Sequence, residues 1–84
     1  MYTESNIAEV GTTYTVRVER FPEPPKSPDV LTRIVDTETS LDGFVIFVSG
    51  CPDDIQLREK IRVRFERTNR SGRSGNGRYE GKVP

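Results

Sequence analysis

The sequence contains no histidine and a single cysteine, Cys51, among its 84 residues. Zinc, haem and iron–sulfur sites therefore have almost no ligands available, and an intramolecular disulfide is excluded. Ser–His and Cys–His nucleophile pairs are excluded as well. Acid–base catalysis would depend on Asp, Glu, Lys or Tyr alone. We therefore expect a protein without metal, cofactor or enzymatic activity.

Long apolar runs are also missing. No run approaches the roughly 18 residues that cross a membrane, and residues 1–5 lack the basic and apolar regions of a signal peptide. The lone thiol fits a reducing compartment. Hydrophobic residues make up 32% of the chain and charged residues 31%, which suits strands with one wet face. These features predict one small soluble domain in the cytoplasm, with a monomer as the expected state.

The charges are balanced in sum but divided along the chain. Residues 1–57 contain four basic and ten acidic side chains, whereas residues 58–84 contain nine basic and three acidic ones. The two parts therefore carry net charges of −6 and +6. Such a division indicates either a basic contact surface or a solvated strand followed by a disordered tail.

Apolar and polar residues alternate in several short segments, as in half-buried strands. We predict strands at residues 14–19, 30–35, 44–48, 60–67 and 78–83, the last with Tyr79, Gly81 and Val83 inward. A proline-rich loop is predicted at residues 21–29, a turn at Asp42-Gly43 and a short helical turn at residues 55–60. Residues 68–77, rich in Gly, Ser, Asn and Arg, are predicted as a flexible loop.

Five short strands without a long helix predict an all-β fold, a small five-stranded OB-like antiparallel β-barrel. Closure into a barrel is favoured because open strand edges in so short a chain would promote aggregation. Residues 1–9 are predicted to form a flexible N-terminal arm, and residues 10–84 the single domain.

Three segments carry a resemblance to a known family. Residues 11–18 (GTTYTVRV), 43–50 (GFVIFVSG) and 61–65 (IRVRF) resemble the first, central and following strands of a TRAM domain. The resemblance implies an OB-like barrel that binds RNA, similar to the free-standing archaeal kind that acts as a cold-shock-like RNA chaperone. The chain departs from the family pattern in two loops. Pro28-Asp29-Val30 stands where the family usually carries a Gly-Asp-Gly loop before the second strand. Arg58-Glu59-Lys60 stands where a glycine and an acidic residue usually precede the fourth strand.

Binding of unpaired RNA requires a flat side chain for stacking and cations for the phosphates. In the third strand Phe44, Ile46 and Val48 form the better core set, which leaves Phe47 as the expected stacking platform. Phe44 is a second candidate. The alternative is that both phenylalanines fill the core.

Arg62 and Arg64 lie two residues apart, so they share one face of a strand, and Arg33 is expected nearby. Arginine suits this role because its planar group binds phosphate at two points and also stacks on bases. The alternative is a solvated strand face in which Arg64 is balanced by a cross-strand acid such as Glu19.

Further arginines punctuate the glycine- and serine-rich segment in the manner of RGG-like RNA-binding sequences, although an ordinary disordered loop fits equally well. They are Arg67, Arg70, Arg73 and Arg78. The sequence thus predicts a module for single-stranded or irregular RNA with low sequence specificity. The alternative is a protein-interaction or structural barrel, in which the strand arginines would form intramolecular ion pairs.

Overall fold

The computed structural model describes residues 8–23 and 29–84, which form five strands. They are β1 (Thr13–Arg20), β2 (Val30–Ile34), β3 (Val45–Ser49), β4 (Lys60–Thr68) and β5 (Ser74–Lys82). The first four predicted strands are confirmed with ends displaced by no more than one residue. Residues 1–7 of the predicted arm and the segment 24–28 of the proline-rich loop lie outside the described residues.

The strands close into a barrel in the order β1-β2-β3-β5-β4, with β4 returning to β1. The predicted five-stranded OB-like barrel is therefore confirmed. Four of the strand pairs are antiparallel, but β3 and β5 are parallel. The prediction of an antiparallel barrel is wrong at this pair. The chain leaves β3, forms β4 antiparallel to β1, and then forms β5 antiparallel to β4, so β5 runs in the same direction as β3.

The core lies inside the barrel and consists mostly of β-branched side chains. Along β4, buried and exposed residues alternate strictly from Lys60 to Phe65, as the sequence pattern predicts. Full burial of each such aliphatic or aromatic side chain contributes about 1.5–3 kcal/mol. The fully buried apolar residues are Val16, Val18, Ile34, Ile46, Val48, Ile61, Val63 and Phe65.

The last strand begins earlier than predicted, at Ser74, so the loop between β4 and β5 is only residues 69–73. Gly75 and Gly77 point into the barrel, where a Cβ on Gly75 would overlap the Phe65 ring. Glycine at these positions makes room for the core instead of loosening the chain. Tyr79 packs against the core as predicted, but a register shift places Gly81 opposite the outward Arg62.

The predicted helical turn at residues 55–60 does not form. Arg58 adopts a left-handed conformation with φ of 66°, and its backbone N–H donates to the Val18 carbonyl at 2.7 Å. The Val18 N–H in turn donates to the Glu59 carbonyl at 2.9 Å. The Arg58 N–H and the Glu59 carbonyl are therefore hydrogen-bonded to β1, and they do not form the hydrogen bonds of a helical turn.

The loop between β2 and β3 is organised by one carboxylate. Asp42 accepts hydrogen bonds from the Thr37 N–H at 2.9 Å, the Thr37 hydroxyl at 2.7 Å and the Glu38 N–H at 3.2 Å. These bonds lower the pKa of Asp42. Gly43 has φ of 94°, which confirms the predicted Asp42-Gly43 turn.

Candidate nucleic-acid interface

Phe47 lies on the outside of the barrel. Its neighbours in sequence, Ile46 and Val48, are buried, whereas Phe47 itself is half-buried. It is also absent from the partly buried side chains that pack against the core, which include Tyr14 and Tyr79. The outward orientation predicted from alternation is confirmed, and the ring is available at the surface.

The surface around Phe47 is formed by three neighbouring strands. Phe47 of β3 is opposite Leu31 of β2 on one side and Asn76 of β5 on the other. We call this surface the Phe47 face and define it by the outward residues of β2, β3 and β5. They are Leu31, Arg33, Val45, Phe47, Ser49, Ser74, Asn76 and Arg78.

Cations surround the Phe47 face on several sides. Arg20 of β1 is opposite Leu31, and Arg67 of β4 is opposite Asn76, so the row of paired residues through Phe47 ends in an arginine on each side. Arg33 is opposite Val45 on β3, and its guanidinium donates to the Gly43 carbonyl at 3.0 Å. A stacking ring with arginines at its margins is the arrangement that unpaired nucleic acid requires.

Phe44 does not contribute to this surface. It is 8% exposed and meets the Phe65 ring edge-on, with 5.8 Å between ring centroids and 77° between the planes. The prediction of Phe44 as an RNA contact is therefore wrong, and the alternative, that Phe44 is a core residue, is confirmed. The reason is parity, since Phe44 shares the inward side with Ile46.

Arg62 and Arg64 lie on a different side of the molecule, which we call the β4 face. In the barrel order β4 is two strands from β3, so these arginines do not adjoin Phe47. Arg62 is flanked by Thr15 and Gly81, both short, which leaves its side chain unobstructed. The β4 face comprises the outward residues Thr13, Thr15, Arg17, Lys60, Arg62 and Arg64.

Arg78 connects the two surfaces on one side of the barrel. It is opposite Ser49 of β3 and opposite Arg64 of β4. Its guanidinium also contacts the Glu66 carboxylate at 3.5 Å, an exposed pair that contributes little stability. Arginine side chains therefore extend from the Phe47 face to the β4 face.

Acidic residues neutralise the lysines of the basic half more than its arginines. Lys60 pairs with Asp36 at 2.7 Å, and Lys82 pairs with Asp54 at 3.2 Å. Within residues 8–23 and 29–84, neither Arg62 nor Arg64 has an ion pair or a side-chain hydrogen bond. These two guanidinium groups therefore remain available to an external anion.

Glu19 does not balance Arg64. It is bound by the Arg17 guanidinium, which lowers the pKa of Glu19, and the charges of Arg33 and Arg58 lower it further. Arg64 is opposite Thr13, near the start of β1, whereas Glu19 lies near the end of that strand. The alternative in which Glu19 neutralises Arg64 is not supported by this geometry.

The loop arginines sit on an ordered hairpin. The Asn69 N–H donates to the Ser74 carbonyl at 2.8 Å, and the Gly72 N–H donates to the Asn69 carbonyl at 2.9 Å. Arg70 and Arg73 are exposed on this hairpin. Because Ser74 is opposite Val45, the hairpin adjoins the Phe47 face at the end where β3 begins.

Sequence reasoning missed several members of these surfaces. Among them are Arg17 and Lys60, which are opposite one another on the β4 face, and Asn76, which lies in the segment predicted as a flexible loop. A signal for Asn76 was present, because residues 74–78 (SGNGR) place glycine at every second position, which matches the period of a strand. Unless it is known that these glycines pair with β4 around Phe65, that period alone does not distinguish a strand from a glycine-rich loop.

Grooves on the surface of the described residues include the following two. The larger, about 470 Å³, is lined by Arg17, Arg33 and Lys60 but also by Asp36 and Asp42, so its charges are largely balanced. The smaller, about 280 Å³, includes Phe21, Cys51 and Ile55 among its lining residues.

The smaller groove offers little reactive chemistry. Burial and the charge of Asp29 raise the pKa of the Cys51 thiol, which keeps it protonated at neutral pH and makes it a poor nucleophile. No group of three potential ligands in the described part of the chain is placed to hold a metal ion.

The described ranges contain no helix with the length and apolar character needed to cross a membrane. Comparison of the chain with protein-family models, curated proteins and solved structures found no match.

Proposed function

We propose that this protein is a non-catalytic RNA-binding barrel of the TRAM type that acts on single-stranded or irregular RNA as a cold-shock-like chaperone. The observation that carries the proposal is the outward, half-buried Phe47 at the centre of a face whose margins carry arginines. An aromatic ring at that place offers a stacking surface to any base, because every base has a flat π-face.

The electrostatics of the β4 face support the same function. Arg62 and Arg64 have no acidic partner in the described part of the chain, so an incoming phosphate need not displace one. Arg78 extends this positive surface toward β3. Binding through a few exposed phosphate contacts and one stacked base is sequence-tolerant and strongly dependent on salt.

The rival function, a protein-interaction barrel, is favoured by one observation. Leu31 and Val45 are outward and half-buried beside Phe47, so the centre of the Phe47 face is apolar. A protein partner would cover such a patch. The rival also predicts intramolecular ion pairs for the strand arginines, and Arg62 and Arg64, which have no ion pair among the described residues, weigh against it.

The decisive experiment is a titration of the ¹⁵N-labelled protein with an unstructured decamer RNA at low and at high salt. At low salt we expect the amide signals of Phe47, Asn76, Arg78, Arg62 and Arg64 to shift together. If four to six phosphates are contacted, the slope of log K against log salt concentration is about −3 to −4.

A matched pair of variants provides the control. Phe47→Ala should weaken binding of the decamer, whereas Phe21→Ala should not, although Phe21 is 40% exposed and also aromatic. If the titration moves no signal on either face, the RNA-binding function is wrong and the protein-interaction function gains. Shifts confined to the arginines would remove Phe47 from the interface.

A further inference from the structure

The side-chain amide of Asn76, beside the Phe47 ring, has no partner among the described residues. Asn76 is half-buried on β5 and directly opposite Phe47, yet it makes no side-chain hydrogen bond within residues 8–23 and 29–84. Asn69, by contrast, donates its amide to the Ser74 hydroxyl at 2.8 Å. The amide of Asn76 thus retains two donors and one acceptor for an external ligand.

The orientation of Asn76 is fixed by its neighbours. Gly75 and Gly77 are inward. A Cβ added to Gly75 would overlap the Phe65 ring, and one added to Gly77 would lie 2.5 Å from the Val63 side chain, so a side chain has no space there. A shift of β5 by one residue would drive Asn76 into the Phe65 ring. The amide is therefore held on the outside of the barrel next to Phe47.

We propose that Asn76 reads the edge of the base that stacks on Phe47, and so gives the barrel a base preference. Neighbouring strands are about 4.8 Å apart, so a base lying over Phe47 reaches both adjacent strands. On the β2 side it meets the apolar Leu31, and on the β5 side it meets the amide. The ligand class is an unpaired nucleobase whose hydrogen-bond donor and neighbouring acceptor meet the amide. Uracil, cytosine and adenine each carry such a pair, but at different distances from the centre of the stacked ring, so only the base whose pair reaches Asn76 gains both hydrogen bonds. This inference rests on the proposed function.

The test compares the affinities of wild-type protein for the decamers of uridine, cytidine and adenosine at one low salt concentration. For an amide open to water we expect the low end of the discrimination that two hydrogen bonds to a base provide, about fivefold between the best and the worst decamer. Asn76→Ala should bring the three affinities within about twofold of one another, because the stacking and phosphate contacts that remain are sequence-tolerant.

Two control variants distinguish recognition of the base by Asn76 from an effect of the substitution on the structure of the barrel. Gln56→Ala removes an exposed side-chain amide from the loop between β3 and β4, outside both faces, and should leave the affinity ratios unchanged. Asn76→Asp keeps the shape but removes the donors, so it should change the ratios while also lowering all three affinities through its charge. The melting temperature of Asn76→Ala should stay near that of the wild type, since the amide has no hydrogen-bond partner in the described residues.

The outcomes are distinct. Equal affinities of the wild-type protein for the three decamers, or a preference that survives in Asn76→Ala, would overturn the reading role while the RNA-binding function stands. Absence of binding to every decamer would overturn both. A base preference lost only in the Asn76 variants supports the inference.

Discussion

Arg64 of β4 and Arg78 of β5 are opposite one another in the barrel wall. Arg78 forms an ion pair with Glu66 at 3.5 Å, whereas Arg64 has no ion pair in the described part of the chain. Like charges directly opposite in a sheet are destabilising. Two like charges therefore occupy neighbouring strands where the Phe47 face meets the β4 face, and Glu66 compensates the one on Arg78.

Replacing Arg64 with glutamate should move stability and binding in opposite directions. Arg64→Glu converts the repulsion into a cross-strand attraction, and we expect the free energy of unfolding to rise by about 0.2–1 kcal/mol. The affinity for RNA should fall, and the salt slope should become shallower by about 0.7 for each phosphate that the variant no longer binds. Urea unfolding and a salt series of binding isotherms measure the two effects. An unchanged slope would exclude Arg64 as a phosphate contact.

The two phenylalanines of the central segment should respond to truncation in different ways. Phe44→Ala removes a core ring packed on Phe65, and we expect a loss of stability of about 3–5 kcal/mol. Phe47→Ala should leave the melting temperature nearly unchanged and reduce RNA affinity by about 1–3 kcal/mol. Thermal unfolding and fluorescence anisotropy of the same two proteins give the comparison. A large fall in melting temperature for Phe47→Ala, with RNA affinity retained, would make Phe47 a structural residue.

The parts of this fold that were predictable are those in which local pattern and tertiary environment agree. In β4 the apolar Ile61, Val63 and Phe65 alternate with charged residues, and the same parity placed Phe47 outward and Phe44 inward. Such positions need no knowledge of the partner strand, because a side chain on a half-buried strand has only two directions to take.

The parts that were not predictable depend on which strands become neighbours. Gly75 and Gly77 are required by the Phe65 and Val63 side chains across the ladder, and nothing local to residues 74–77 reveals that requirement. For the same reason the chain did not show that Arg62 would be two strands from Phe47, or that Asn76 would be opposite it. Strand order in a closed barrel is a tertiary property.

The inward glycines give a direct test of the β5 register. Gly75→Ala would place a methyl group against the Phe65 ring and the Arg67 carbonyl, so we expect a loss of about 1–3 kcal/mol or more. Gly81→Ala is the matched control, because no atom lies within 4 Å of the Cβ it would add. That change should be neutral or stabilise by up to about 1 kcal/mol. Equal urea midpoints for the two variants would contradict the register.

Acid should loosen the loop between β2 and β3 at an unusually low pH. The hydrogen bonds from Thr37 and Glu38 stabilise the ionised carboxylate, so the pKa of Asp42 lies below the ordinary value of about 3.9. Because the folded pKa is the lower one, the stability it contributes is complete above about pH 5 and is lost as the pH falls through the folded pKa.

The measurement is an NMR titration of the Asp42 side-chain carboxyl together with the Thr37 amide. Both signals should change with one midpoint below about 3.9, and Thr37→Val should raise that midpoint because the hydroxyl donor is gone. A midpoint at the ordinary value, or one that Thr37→Val leaves in place, would show that these bonds do not hold the loop.

The hairpin arginines should add affinity without adding base preference. Arg70 and Arg73 are exposed at the end of the barrel where β3 begins, and neither has an ion pair or a side-chain hydrogen bond in the described ranges. The double replacement of both by alanine should reduce the salt slope by about 1.4 if each contacts one phosphate, since each contact on a single strand contributes about 0.7.

The melting temperature of this double variant should stay near that of the wild type, because the hairpin is held by the hydrogen bonds of Asn69 and Gly72. The ratios of affinity among the uridine, cytidine and adenosine decamers should also be unchanged, since phosphate contacts carry no base information. Binding isotherms over a salt series for all three decamers measure both quantities together. An altered ratio would mean that the hairpin reaches the bases and that Asn76 does not act alone.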